Sequence, residues 1–395
     1  MKEQVQVLIV GGGSAGISVA ARLAKAGRGL DVAVLDPAAK HYYQPLWTLV
    51  GGGDARKEDT ERDEKDLIPA GVRWIQEGAV EIDGANREVT TDAGRTIGFE
   101  WLVVAAGIQV DWKGIPGLAE NLGREGICSN YSYDSVDYTW ECIRSFKSGN
   151  AVFTHPATPI KCGGAPQKIM YLAAETFEKN GVAKDANIIF GIASPAIFAV
   201  EKYAKTLLEV VERHHIDVRY KHDLRELRPA SREAVFRDLG ADREVVVNYD
   251  MIHVTPPMSA PDFLKRSDLG NAGGWVDVDK HTLRHVANER VFALGDCSSL
   301  PTSKTGAAIR KQAPVCAENL LAAIEGRPLT GRYDGYTSCP LVTGYGKLVL
   351  AEFDYDLKPQ ETFPFDQSKE RKTMYLLKKH LLPKLYWGGM LKGRA

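Results

Sequence analysis

At 395 residues the chain is long enough for two or three domains with well-developed cores. Hydrophobic residues make up 44% and charged residues 26%, and a net charge of −1 gives none of the basic surplus that marks a nucleic-acid partner. The six cysteines, Cys128, Cys142, Cys162, Cys297, Cys316 and Cys339, are scattered without C-x-x-C or zinc-type spacing. That pattern predicts neither a metal site nor a secreted disulfide scaffold.

Val5 to Val10 reads as a short, almost wholly apolar strand of the kind buried in a parallel sheet. It runs into Gly11-Gly12-Gly13-Ser14-Ala15-Gly16, the G-x-G-x-x-G spacing, and then into a helical pattern from Ile17 to about Ala26. Gly11 makes the tight turn, Gly13 lets the backbone approach a pyrophosphate, and Gly16 lets helix and strand pack closely. The helix start at Ser14 and Ala15 offers unpaired N–H groups to phosphate. A second strand, Asp31 to Leu35, ends at Asp36, twenty residues past Gly16 and placed to accept from an adenosine ribose.

An aromatic segment, His41 to Trp47, follows and could lie along a bound cofactor; it lacks the redox C-x₄-C that glutathione-reductase-like enzymes carry here. Asp54 to Asp66 is dense in charge and predicts a solvated helix or loop. Short strands are expected near Val72–Ile75, Ala79–Ile82 and Glu88–Thr91, then a buried strand from Trp101 to Gly107. That last strand resembles the A-T-G strand of two-dinucleotide-binding-domain flavoproteins, with Ala106 in place of threonine before Gly107. A second βα unit follows, with strands at Asn150–Thr154 and Asn187–Gly191 and helices at about Cys162–Lys179 and Ser194–His214. Its first loop, Gly191 to Ala196, has a single glycine, so side chains would crowd a pyrophosphate and the second nucleotide site reads as degenerate. Arg290 to Asp296 is a strand ending in Gly-Asp, ahead of a helix from about Lys304. In the flavoproteins it resembles, such an aspartate holds the ribityl chain of FAD, and Lys304 at the helix start would stabilise the reduced flavin.

Cys162 lies in Lys161-Cys162-Gly163-Gly164-Ala165-Pro166-Gln167, where a helix start and Lys161 favour the thiolate. A buried, inert thiol is the plainer alternative. Cys339 lies 177 positions later, and spacing alone does not pair them. Taken together, Lys161–Tyr171, Val254–Met258, Pro301–Thr305, Tyr333–Tyr345, Ala351–Tyr355 and Phe363–Arg371 resemble sulfide:quinone oxidoreductase, in the class that includes the mitochondrial enzyme. The resemblance covers essentially the whole chain.

It implies an α/β protein with two Rossmann-like, doubly wound domains. Residues 1–112 and 265–335 would bind FAD, residues 113–264 would form the second domain, and residues 336–395 would dock quinone and membrane. It further implies that Cys162 and Cys339 flank the flavin and cycle between a sulfur-bridged disulfide and a thiol plus persulfide. Hydrogen sulfide would be the electron donor, ubiquinone or another quinone the acceptor, and a small thiol or sulfite the sulfur acceptor. Some relatives of another class use a third cysteine near Cys128, which here reads as free. His155 and His253 fall near the expected site and read as structural.

From Arg371 onward there are seven lysines or arginines and no acids, with Met374, Leu377, Leu381 and Leu385 at helical spacing. This predicts a basic amphipathic helix, kinked at Pro383, lying on a membrane surface. Tyr345, Phe363, Phe365 and Trp387 are candidates for an apolar quinone channel. The uncharged run 186–200 is too short to span a bilayer, and the first strand leaves little room for a targeting segment. The expectation is a peripheral protein on the cytoplasmic side of a membrane, with homodimerisation left open. A type II NADH:quinone oxidoreductase and a non-turnover persulfide carrier or sensor remain the alternatives.

Overall fold

The computed structural model describes residues 3–395. Its central sheet grows from the strand Glu3–Val10, whose last four residues are all buried, as expected for a strand covered on both faces. Val32–Leu35 and Thr96–Val104 pair with it in parallel on either side, and Arg73–Ile75 extends the edge. The distant strand Val291–Ala293 adds to the far side of Thr96–Val104, while Ala79–Asp83 and Glu88–Thr91 form an antiparallel meander on the other end of that strand. A returning strand some 200 residues later is what makes this part of the molecule discontinuous in sequence.

The second sheet is five-stranded and parallel, in the order Ile127–Cys128, Met251–His253, Gly149–His155, Ala186–Ile192, Asp217–Tyr220. An antiparallel sheet, His222–Arg228, Glu233–Asp238 and Arg243–Asn248, covers one flank. A hairpin of Thr337–Gly344 and Lys347–Phe353 packs its buried strands between the two cores.

Three segments depart from the sequence expectation. The helix expected from Ser194 begins at Glu201 instead, because Ser194 to Val200 bends around Pro195 and caps itself through the Ser194 hydroxyl. No helix start therefore abuts the end of Ala186–Ile192, and a Cβ at Gly191 would meet the Phe236 ring at 2.4 Å. The charged stretch 54–66 is not wholly solvated. It forms two 3₁₀ turns and a short strand paired with Lys40–Tyr42, and it buries Glu64.

The third departure is the tail. It is not one kinked helix but a chain of short pieces: Lys372–Leu376, a π turn at Leu377–Leu381, the helix Leu382–Gly388 and a last turn at Met390–Lys392. Pro383 sits in the first turn of its helix, where its missing N–H costs nothing, so it starts a helix and does not kink one. Met374, Tyr375, Tyr386, Met390 and Leu391 are buried in the main core. Leu376 and Leu381 are left exposed beside the exposed Lys372, Lys384 and Lys392. Among the described residues no helix is long and apolar enough to cross a membrane.

Candidate active site

A cavity of about 560 Å³ runs from the glycine-rich loop to Cys162. At one end Gly11 adopts φ +106°, and a Cβ there would lie 2.4 Å from the Ala105 carbonyl. A Cβ on Gly16 would fall 1.8 Å from the Gly11 carbonyl, so only glycine lets the helix Ser14–Lys25 start this close to the strand. Gly13 has nothing within 4 Å of where a Cβ would be, because it faces the cavity. Asp36 folds back onto the loop, accepting from the Gly12 N–H at 2.6 Å and the Ala38 N–H at 2.8 Å. Ala15, Ala106, Gly107 and Asp296 also line the cavity. The Asp296 carboxyl is pushed up by burial and pulled back by Lys304, and among the described residues nothing donates a hydrogen bond to its side chain.

Two buried cavity oxygens, Glu64 Oε1 and Asn130 Oδ1, likewise have no partner. A glycine cradle open at Gly13 and a row of unsatisfied acceptors suit a long, hydroxyl-bearing dinucleotide such as FAD.

Cys162 sits at the other end, in the loop before the helix Ala165–Lys179. It holds the left-handed backbone conformation, φ +60°, which costs a non-glycine residue about 1–2 kcal/mol. Two backbone bonds impose it: the Cys162 N–H donates to the Lys304 carbonyl at 2.8 Å, and its own carbonyl accepts from Ala165 N–H at 2.8 Å. The next glycine explains the approach to Cys339. A Cβ on Gly164 would lie 2.2 Å from Leu341 Cδ2, so any larger residue would push the loop off the hairpin. Cys339, fully buried and opposite Ala351 in that hairpin, brings its thiol into hydrogen-bonding contact with Cys162.

Charge then divides the pair. Lys168, buried in the first turn of the helix, places Nζ 3.1 Å from Cys162 Sγ. The Cys339 thiol donating to it holds Cys162 well below the usual thiol range, with Lys168 and Lys378 adding to the effect. Cys339 is driven the opposite way, by that same contact and by burial. Lys378 comes from the π turn of the tail and donates to the Pro45 carbonyl at 2.8 Å. Burial and the nearby Lys168 push its own pKa down to about 7. The neighbour expected to act, Lys161, does not touch Cys162: it reaches Gln44 Oε1 at 2.5 Å and lies over the Trp47 and Tyr131 rings. A residue next in sequence points elsewhere, and one helical turn into the following helix points back.

Lys304 precedes the helix Gly306–Ile324, which Thr305 caps. Its Nζ donates to the Asp296 and Ser298 carbonyls at 2.5 and 3.3 Å and sits 3.9 Å from the Trp275 ring centre. Cys128 is not in the cavity wall; it is buried against Cys142 and donates to the Ile252 carbonyl at 3.4 Å. His253 accepts from the Asn130 N–H at 3.0 Å, and burial pushes it down to about 3; His155 falls to about 4 for the same reason. Both are neutral in their surroundings, and His253 lines the cavity.

A family model described as pyridine nucleotide-disulphide oxidoreductase matches residues 5–134. The mitochondrial sulfide:quinone oxidoreductase of Mus musculus is 48% identical over 99% of this chain and 87% of its own length. The chain belongs to the sulfide:quinone oxidoreductase family. The Dictyostelium discoideum protein of the same name is 46% identical over 100% of this chain and 87% of its own length. The sulfide:quinone oxidoreductase of Aquifex aeolicus shares the fold, with a TM-score of 0.83 at 18% identity, over 99% of this chain and 92% of that one.

Seen as a sulfide:quinone oxidoreductase, the chain has a tail that does more than line a surface. Leu377, Lys378, Leu382, Leu385, Tyr386 and Met390 all line the cavity. The four aromatics expected to do so are not in that wall. Tyr345 bonds the Gly52 carbonyl at 2.5 Å, with Lys179 over its ring. Phe363 and Phe365 stack on each other at 5.3 Å. Trp387 packs on His41 and Tyr43 under Arg62. Adjacent helix positions differ by about 100°, so Tyr386 and not Trp387 faces inward. Lys168, Lys378 and Glu64 were the residues missed. The signal for Lys378 was a lysine on the apolar stripe of the tail, four residues from Met374.

Proposed function

We propose that this chain oxidises hydrogen sulfide to sulfane sulfur through the Cys162–Cys339 pair and FAD, and reduces a membrane quinone. What carries the reading is the ammonium of Lys168, 3.1 Å from Cys162 Sγ, with Cys339 in contact, in the wall of the cavity that begins at the glycine loop. Gly11, Gly13, Ser14, Ala15, Gly16, Asp36, Ala106, Gly107, Asp296 and Lys304 would hold the cofactor. FAD, when bound, supplies a two-electron acceptor beside the cysteines and a donor to quinone.

With the pair bridged, hydrosulfide attacks the Cys339 sulfur and the S–S bond breaks. Cys339 then carries the persulfide, and Cys162 leaves as the thiolate. The direction follows from the charges, since the sulfur whose anion is better stabilised departs faster. Lys168, 3.1 Å away, holds that anion. Cys339 next yields its outer sulfur to a small thiol or sulfite, and closing the pair again releases two electrons toward the quinone. Residues 1–112 and 265–335 are the cofactor unit in this reading, residues 113–264 a domain without a working nucleotide site, and residues 336–395 the closing wall. Leu376 and Leu381, with Lys372, Lys384 and Lys392, would rest on the membrane surface as a peripheral attachment.

An anaerobic titration tests this. Sulfide should bleach the flavin and a ubiquinone analogue restore it, and Cys162→Ser and Cys339→Ser should each abolish sulfide-dependent quinone reduction. Retention of that activity in either variant would sink the mechanism. Bleaching by NADH alone would favour an NADH:quinone oxidoreductase, and persulfide formation without quinone reduction a carrier.

A further inference from the structure

The tail reaches the dinucleotide end of the cavity through a buried chain of hydrogen bonds that the scheme above does not use. The Tyr386 hydroxyl lies 2.7 Å from Ser14 Oγ, at the start of the helix behind the glycine loop, and 2.5 Å from His41 Nε2. His41 Nδ1 in turn lies 2.9 Å from Glu64 Oε2. Tyr386, His41 and Glu64 are 4%, 5% and 2% exposed, and with Ser14 all of them line the cavity.

The other oxygen, Glu64 Oε1, has no partner although it is buried. A Cβ built on Gly12 would lie 2.6 Å from it and 3.0 Å from Asp36 Cβ, so this oxygen stands over the glycine loop beside Asp36. A buried carboxylate oxygen left unpaired is costly, and a hydroxyl donor in the cavity would relieve that cost. Two carboxylates side by side, one with a free oxygen, are the acceptors a vicinal diol requires. The tail is fixed along the same helix by further contacts: the Ala395 carbonyl bonds Arg22, and the Gly393 carbonyl bonds Lys25 at 3.3 Å.

We propose that Glu64, His41 and Tyr386 form a latch through which the ribose of the adenosine half of FAD and the C-terminal segment stabilise each other. The latch rests on the FAD reading. A ribose hydroxyl donates to Glu64, Glu64 is held by His41, and His41 and Ser14 hold Tyr386. By linkage, the factor by which a docked tail tightens the cofactor equals the factor by which cofactor tightens the tail. The segment that lines the cavity with Leu377, Leu382 and Leu385, and bears the exposed Leu376 and Leu381, is then set in place by the cofactor.

The test uses the full chain stripped of flavin and refilled. FAD binding is read from flavin fluorescence, and tail docking from the rate of tryptic cleavage after residue 371. FAD should slow that cleavage by about tenfold, within the usual range of coupling between sites. ADP, which carries the same ribose, should protect as well, and FMN, which lacks it, should not. Tyr386→Phe keeps the ring on Tyr43 and removes only the hydroxyl; it should weaken FAD by about tenfold and abolish the protection. Glu64→Gln should weaken FAD and ADP together and leave FMN unaffected. Equal cleavage rates with and without FAD, protection by FMN, or unchanged FAD affinity in both variants would overturn the latch while leaving the cofactor reading intact. A chain that takes up no FAD at all would overturn both.

Discussion

Replacing Lys168 with methionine isolates the charge that divides the cysteine pair, because methionine keeps most of the buried stem. At 3.1 Å, two unit charges in a medium of effective dielectric about 20 attract by about 5 kcal/mol, a ceiling of about 4 pKa units. Charged hydrogen bonds measured in proteins contribute about 1.5–3 kcal/mol, which scales the expected shift to about 1–2 units. The thiol of Cys339 and the charge on Lys378 remain in the variant and support the rest of the depression. The assay is the iodoacetamide alkylation rate of Cys162 in the reduced protein from pH 4 to 10, followed by mass spectrometry of the Cys162 and Cys339 peptides separately. Lys168→Met should move the Cys162 midpoint up by about 1–2 units and slow sulfide-dependent flavin bleaching at neutral pH. Lys168→Arg should keep the midpoint within about half a unit, since the cation is retained. A midpoint that stays put in Lys168→Met, or moves equally in both variants, would refute the argument that this ammonium holds the thiolate.

Lys378 gives a pH dependence of stability with a definite sign. Its folded pKa of about 7 lies below the ordinary lysine value, so between pH 7 and about 10 the unfolded chain binds more protons and stability rises with pH. Urea unfolding should therefore show wild type gaining about 2 kcal/mol on Lys378→Met between pH 7 and 9; a parallel pair of profiles would remove the charge from this site. Leu381→Glu, at a position 56% exposed, should leave unfolding within about 0.5 kcal/mol and lower co-sedimentation with anionic vesicles several-fold. Unchanged sedimentation would refute the proposed attachment through this pair. Cys128→Ala should keep sulfide-dependent quinone reduction within about twofold and cost about 1–2 kcal/mol of stability, since its thiol meets Cys142 and the Ile252 carbonyl and not the cavity.

The glycine loop and the strands around it were legible because each depends on neighbours in sequence: an apolar run, a fixed glycine spacing, an acid at the next strand end. Cys162 and Cys339 were legible as types, and as a pair only through the family resemblance, not through spacing. What joins them is the absence of a side chain at Gly164 facing Leu341, together with the register that sets Cys339 opposite Ala351. Neither leaves a local trace. Lys161 was the natural expectation for the charge partner, yet a left-handed Cys162 turns the chain so that Lys168 points back and Lys161 points away. The helix expected at Ser194 failed for a similar reason. The apolar residues from Pro195 to Val200 continue the helical pattern, but the self-capped serine and Pro195 hold the chain in a loop until Glu201.

The tail shows why a periodicity can be read correctly and still mislead. Four of its six buried positions, Met374, Lys378, Tyr386 and Met390, are spaced in multiples of four. In a continuous α-helix four residues overshoot a full turn by about 40°, so sixteen residues would carry Met390 about 160° away from Met374. One straight helix could not keep all four on the protein. The π turn at Leu377–Leu381 winds more slowly, and the break at Gly389 resets the last turn, so the drift is absorbed and one face stays inward. That inward face delivers Lys378 to the cysteines and Tyr386 to the glycine loop. The residues squeezed outward, Leu376 and Leu381, are an apolar pair left exposed. A basic amphipathic pattern thus encoded two faces, and the lysine on its apolar stripe belonged to the inner one.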